Sequence, residues 1–158
     1  ILDRVKTALF DILRPLSEDC VFLDLFAGTG AIGIEALSQG ALHSVFLDIN
    51  SKAIDTIKKN VEATGFKEKS EIRHTDAFTF LKNTSRQFDI IYVAPPQYKG
   101  IWIEAMQTLG ERPELLKENG IIIVQIDPKE YEKLNLSFFK EIREKTHGNT
   151  QLVFYEAI

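Results

Sequence analysis

The amino-acid sequence predicts an α/β fold, a mainly parallel sheet covered by helices on both faces and finished by an antiparallel hairpin. Two observations predict it. From Val21 onward, apolar runs of strand length alternate with stretches of helical periodicity, and a turn holding Gly28, Gly30 and Gly33 joins the first run to the first of those helices. From Phe138 the alternation stops, and two strand-like segments flank His147-Gly148-Asn149 with no helix between them, as in a β-hairpin.

Taken in order, Asp3 is placed to cap a first helix running to about Leu13, where Val5, Leu9, Ile12 and Leu13 form one apolar stripe before Pro15 ends it. Val21 to Leu25 is the first strand. The helix after the glycine turn runs to Ser38 and is closed by Gly40, and Ser44 to Asp48 completes a βαβ unit. Ser51 can cap the next helix, which carries Ile54, Ile57 and Val61 on one side and ends at Gly65. Ser70 to His74 supplies a third strand, with a short helix after Asp76. Asp89 to Val93 is almost wholly apolar, as a strand covered on both faces should be. A helix is expected from about Gly100 to Leu109, a short one from Pro113 to Lys117 ends at Gly120, and Ile121 to Ile126 reads as another apolar strand. The hairpin pairs Phe138 to Lys145 with Thr150 to Tyr155.

At 158 residues, 44% of them apolar and eleven of them Phe, the chain has the size and apolar content of a single domain spanning residues 1–158. Its formal charge of −4 gives no overall attraction to phosphate backbones, so any nucleic-acid contact must be local. The lone Cys20 excludes an internal disulfide and reads as a small buried hydrophobe. With neither a long apolar run nor a cleavable leader pattern, a cytoplasmic setting without membrane contact is expected. His43, His74 and His147 are dispersed without metal-ligand spacing, so no metal site is expected. The chain opens in a helical pattern without an initiator Met, so residues upstream of Ile1 are expected.

Chemistry concentrates at the ends of the parallel strands, where ligands settle in such sheets. Gly28, Gly30 and Gly33 satisfy G-x-G-x-x-G, and Asp48 follows Gly28 by about twenty positions, the spacing of a dinucleotide-binding fingerprint. Asp24 argues against that ligand. A pyrophosphate would lie against the turn, where a carboxylate entering on the strand repels it. S-adenosylmethionine carries an ammonium and a sulfonium and no phosphate, so the same carboxylate attracts it while the glycines allow close backbone approach. The candidate cofactor cradle is therefore Asp24 with the turn Phe26-Ala27-Gly28, Gly30 and Gly33. Asp48 is placed to accept from ribose hydroxyls, Asp76 from the adenine amine, with the Ala77 amide donating to the ring and Ile49 and Phe78 sandwiching it. Alternatively, Asp48 and Asp76 only start the helices that follow them. Ala94-Pro95-Pro96-Gln97-Tyr98 follows the fourth strand and is expected in the same crevice.

The run from Leu23 to Ala36 resembles the first motif of class I S-adenosylmethionine-dependent methyltransferases, and within them the bacterial 16S ribosomal RNA guanine-N2 methyltransferase family often called RsmD. Asp3 to Leu13 is similar to that family's helix ahead of the cofactor strand, and Thr146-His147-Gly148-Asn149-Thr150 resembles its closing hairpin. The resemblance covers nearly the whole chain. It implies a Rossmann-like, seven-stranded sheet, S-adenosylmethionine as cofactor, 16S rRNA or the small ribosomal subunit as partner, a monomer, and a basic arm ahead of Ile1.

One departure bears on activity. Family members that methylate exocyclic amines carry Asp or Asn, then Pro-Pro, then an aromatic residue; here those places hold Ala94, Pro95, Pro96 and Gln97, with Tyr98 one step late. The family pattern implies an oriented side-chain acceptor for the target amine, which Ala94 lacks. The carbonyls of Ala94 and Pro95 remain, Gln97 can lend an amide oxygen, and Tyr98 can stack on a flipped base. Losing one oriented polar group costs on the order of 3 kcal/mol in other active sites, enough to slow transfer without abolishing it. Lys99, Trp102 and Arg112, with Lys117, are candidates for an RNA-facing rim, against the alternative of a packed helix face with solvated charges. Two other functions stay open. One is methylation of a small molecule or protein; the other is a catalytically silent module that binds cofactor or RNA.

Overall fold

Residues 3–97 and 100–158 are described by a computed structural model of the chain. The strands form a seven-stranded mixed sheet, mostly parallel with an antiparallel C-terminal hairpin, as the Rossmann-like class requires. Packing divides the chain into two units, one up to Ala77 and one from Phe78 onward.

In the first unit, helix α1 (Asp3–Leu13), strand β1 (Val21–Asp24), helix α2 (Ala31–Ser38), strand β2 (His43–Asp48), helix α3 (Ser51–Ala63) and strand β3 (Ser70–His74) follow one another. The strands lie in the order β3-β2-β1, all parallel, with Asp24 opposite Phe46 and Asp48 opposite His74. β1 therefore stops short of β2, and the following turn folds into that step, its Ala27 amide donating to the Leu47 carbonyl at 2.8 Å.

The helix ends obey local chemistry. Gly40 (φ 108°) and Gly65 (φ 80°) stand where expected, each in the left-handed region that spares only glycine a steric cost. After α2 the Gly40 and Ala41 amides turn back to the carbonyls of Leu37 and Ala36, and after α3 those of Gly65 and Phe66 to Glu62 and Val61, at 3.0–3.1 Å. That is the double bond of a Schellman end. The cap of α3 is a correction. Asn50, not Ser51, is extended (φ −93°, ψ 123°), and its side chain accepts from the Lys52 and Ala53 amides; Ser51 is already the first helical residue.

Phe46, Ile54, Ile57, Val61 and Ala27 form the core of this unit, with Ile34, Phe66 and Ile72 against it. Gly33 is a packing residue there, since a Cβ on it would stand 2.4 Å from Cε2 of the fully buried Phe46. We expect Gly33→Ala to destabilise by up to about 2 kcal/mol, the net of an overpacking cost of about 1–3 kcal/mol and the ~1 kcal/mol of helix propensity gained. Thermal unfolding is the check, and a variant as stable as the parent refutes the contact.

In the second unit, helix α4 (Ala77–Asn83), which begins at the boundary, leads into strand β4 (Phe88–Val93), helix α5 (Ile101–Glu111), strand β5 (Leu116–Ile126) and the hairpin of β6 (Phe139–His147) and β7 (Thr150–Ala157). The order is β4-β5-β7-β6, with β4 and β5 parallel and the remaining pairs antiparallel. The hairpin closes through Gly148 at φ 57°. β6 is exposed along most of its length, and its Lys-Glu-Ile-Arg-Glu-Lys run and bulge near Ile142 keep that edge from pairing further.

Two expectations are corrected here. The helix expected over Pro113 to Lys117 is a 3-10 turn, Pro113–Leu115, because Leu116 already pairs with Phe88 as the start of β5. The left-handed Asn119 (φ 65°) and Gly120 then absorb a register shift before the apolar run resumes at Ile121. That run is not uniformly apolar, because Gln125 projects a carboxamide that the Tyr92 hydroxyl bonds.

Candidate functional site

The first unit gathers its candidate residues at the carboxyl ends of β1, β2 and β3. Asp24 is the last residue of β1 and is 1% exposed. Its Oδ1 has no hydrogen-bond partner among the described residues. Burial pushes its carboxyl from 3.8 up to about 7, opposed by a hydrogen bond from the Phe26 backbone and reinforced by the nearby Asp48 carboxylate. A buried carboxylate with an orphan oxygen stabilises a cation placed against it.

Next to it the turn is held open by its own backbone. Gly28 (φ 58°) and Gly30 (φ 82°) adopt left-handed conformations, and a Cβ on Gly28 would meet nothing within 4 Å. The Gly28 amide donates to Asp48 Oδ2 at 3.0 Å, and Asp48 Oδ1 accepts from the Asn50 amide at 2.9 Å. Asp48 therefore braces the turn and its own loop, while each oxygen keeps lone-pair capacity for hydroxyl donors. Asn50 caps α3, so Asp48 is not needed there as a cap.

Ile49 follows Asp48 and is 71% exposed, a large apolar side chain left uncovered. Its carbonyl is bonded by His74 Nε2 at 2.8 Å, so that ring nitrogen carries the proton, and the Thr75 amide donates to the Asp48 carbonyl at 3.0 Å. The end of β3 thus clasps the loop after β2, and Asp76, half-buried, follows at once, with buried Ala77 opening α4. Asn60 Nδ2 donates to the Thr29 carbonyl at 2.9 Å, bracing the turn from α3. Sequence reasoning missed His74 and Asn60. A histidine at a strand end and the single amide side chain of α3 were the available signals.

In the second unit, Phe78 is half-buried at the start of α4. Ala94 and Pro95 are half-buried and Pro96 and Gln97 exposed, directly after β4. Tyr98 and Lys99 lie outside the described residues. Three of the rim candidates are engaged by groups of their own unit, in keeping with the packed-face alternative. Trp102 is 1% exposed, because 102, 105, 106 and 109 form the buried stripe of α5, so its indole packs in the core. Arg112 spends its guanidinium on the Leu81 carbonyl (2.8 Å) and the Glu114 carboxylate (3.1 Å), satisfying the end of α4. Lys117 pairs with Asp89 at 3.4 Å.

Among the described residues no three His, Cys, Asp or Glu side chains are grouped to hold a metal ion, and no helix is long and apolar enough to cross a membrane. The first unit's strand ends suit a ligand with a cationic group for Asp24, a diol for Asp48 and a flat apolar ring for Ile49.

A family model described as conserved hypothetical protein 95 matches residues 1–156. Ribosomal RNA small subunit methyltransferase D of Haemophilus influenzae is 31% identical over 157 residues, covering 98% of this chain and 80% of its own length. YlbH of Bacillus subtilis is 32% identical, covering 98% of this chain and 85% of its own. A solved conserved hypothetical protein from Streptococcus pyogenes superposes with a TM-score of 0.87 at 25% identity, covering 95% of this chain and 93% of that one. Glycine turn, strand-end carboxylates, seven-stranded sheet and near-complete coverage agree, and the chain belongs to the conserved hypothetical protein 95 family, that of RsmD.

Proposed function

We propose that the protein is an S-adenosylmethionine-dependent ribosomal RNA methyltransferase whose acceptor is the exocyclic N2 amine of a guanine in the small-subunit RNA. The observation that carries the cofactor is the buried, unpartnered Asp24 oxygen beside an open glycine turn. Asp24 and the turn from Phe26 to Gly28 would hold the methionyl ammonium, and Asp48 the ribose hydroxyls. Ile49 and Phe78 would flank the adenine, with Asp76 and Ala77 at its edge. The relatives named small subunit methyltransferase D support the RNA, and the Pro95-Pro96 segment supports an amine acceptor.

When bound, the cofactor supplies a methyl group already activated by its sulfonium. The protein's own task is then to orient the amine lone pair and exclude competing water, so positioning carries much of the acceleration. A backbone carbonyl of Ala94 or Pro95, together with a side-chain amide such as that of Gln97, would accept the two hydrogens of the amine, with Tyr98 stacking on the base. On this reading the enzyme works in the cytoplasm as a monomer.

Ala94 favours one other reading, a silent module that binds cofactor or RNA without turnover. Label transfer from radioactive S-adenosylmethionine to small subunits, naked RNA and protein separates the possibilities. We expect counts in RNA. Counts only in protein overturn the RNA assignment, and cofactor binding without any transfer establishes the silent module.

A further inference from the structure

We propose that Gln125 supplies the amide oxygen that receives the acceptor amine, replacing the side chain that Ala94 lacks, with Tyr92 as the residue that positions it. The inference rests on the methyltransferase reading above. β4 and β5 run parallel with Tyr92 opposite Ile123 and Val93 opposite Val124. Ala94 and Gln125 each follow directly on the last of those pairs, one step beyond it at the carboxyl ends of the two strands. Alternate residues of a strand share a face, so Tyr92, Ala94, Ile123 and Gln125 belong to one face of the sheet at its carboxyl end. The Tyr92 hydroxyl donates to Gln125 Oε1 across the two strands.

This polar pair is out of keeping with its surroundings. Tyr92 is 2% exposed, and Ile90, Ile91, Val93, Ile122, Ile123, and Val124 around it are buried apolar residues. Two apolar side chains would serve the packing equally well, since exchanging both partners of a buried hydrogen bond for apolar groups is nearly neutral. Gln125 itself is only half-buried, so its amide can reach a ligand.

The chemistry matches the missing group. The amide oxygen has two acceptor sites, of which Tyr92 fills one, and the adjacent Nε2 has two hydrogens to donate. An acceptor and a donor side by side suit a base edge on which a primary amine adjoins a ring nitrogen, as glutamine pairs with adenine. A neutral amide orients the amine and takes no proton. As nitrogen bonds the methyl carbon, the carbon–sulfur bond breaks with its pair left on sulfur, and the surplus proton on nitrogen passes to water.

The test uses Gln125→Met, which keeps volume and removes the amide, assayed by label transfer to small subunits with adenosylhomocysteine affinity measured by calorimetry. We expect kcat to fall on the order of 100-fold, the loss typical of one oriented polar group, with KM and adenosylhomocysteine affinity unchanged. Restoring the family's side chain, Ala94→Asn in the Gln125→Met background, should recover at least about a tenth of the parent kcat, which a merely structural role of Gln125 does not allow. Tyr92→Phe, which deletes one atom and keeps the fold, should lower kcat by roughly threefold to tenfold. An active parent with Gln125→Met within about threefold of it overturns the proposal alone, as does a loss that Ala94→Asn leaves unrepaired. A parent that transfers no methyl group overturns the methyltransferase reading and this proposal with it.

Discussion

Asp24→Asn is expected to stabilise the ligand-free protein and to weaken its hold on adenosylhomocysteine, two effects of opposite sign from one oxygen. The stability effect follows from linkage. The folded carboxyl titrates near 7 and the unfolded one near 3.8, so the folded state binds the extra proton between those values. The contribution of Asp24 is therefore fully present below 3.8 and is lost as pH rises through about 7. About three units at 1.36 kcal/mol each set an upper bound of roughly 4 kcal/mol. The advantage of the Asn variant over the parent should grow from pH 4 to pH 7 and level off above, measured by denaturant unfolding. An advantage equal at pH 5 and pH 8 refutes the buried charge.

Binding runs the other way. Only the ionised carboxylate attracts an ammonium, so the parent's affinity should fall as pH is lowered through about 7, while the Asn variant stays flat across that range. At pH 8 the variant should lose about 2–5 kcal/mol, the cost of removing one partner from a buried charge pair. Calorimetry at several pH values decides it, and parallel curves for parent and variant remove Asp24 from the site.

Asp48→Ala is the second large effect. The substitution removes the acceptor for the Gly28 and Asn50 amides together with the proposed anchor for the ribose. Charge-assisted hydrogen bonds contribute about 1.5–3 kcal/mol each, so losing two to the ligand lowers adenosylhomocysteine affinity by at least about 100-fold. Stability should change little by comparison, since Gly28 and Asn50 are exposed and water replaces the lost acceptor. A second consequence links the two acids. Asp48 helps push the Asp24 carboxyl up, so its removal should shift the midpoint of any remaining pH-dependent binding to lower pH. Undiminished affinity in Asp48→Ala refutes its proposed place in the site.

Much of this architecture is legible in one dimension because its causes are local. Gly40 and Gly65 end helices through bonds that reach three and five positions back, and the His147-Gly148-Asn149 turn closes between adjacent strands. The glycine turn, Asp24 and Asp48 belong to the same class, because strand, turn and helix follow one another without interruption. Where the reading left alternatives open or found no signal, the deciding partner lay elsewhere. Trp102 and Arg112 followed a motif that looked exposed, yet the helical stripe and the Leu81 carbonyl claimed them. His74 meets Ile49 across 25 residues and Tyr92 meets Gln125 across 33, separations no turn or helix pattern spans.

The order of strands and helices, the helix ends and the acids at the strand tips were determined by the sequence alone, through propensities acting over a few residues. The tertiary structure decided how those acids behave. Burial leaves Asp24 half-neutral near neutrality, the step between β1 and β2 ties Gly28 to Asp48, and the register of β4 on β5 brings the Tyr92 hydroxyl to the Gln125 amide oxygen. Solvation and strand register depend on what packs alongside, and that is settled only when distant segments meet.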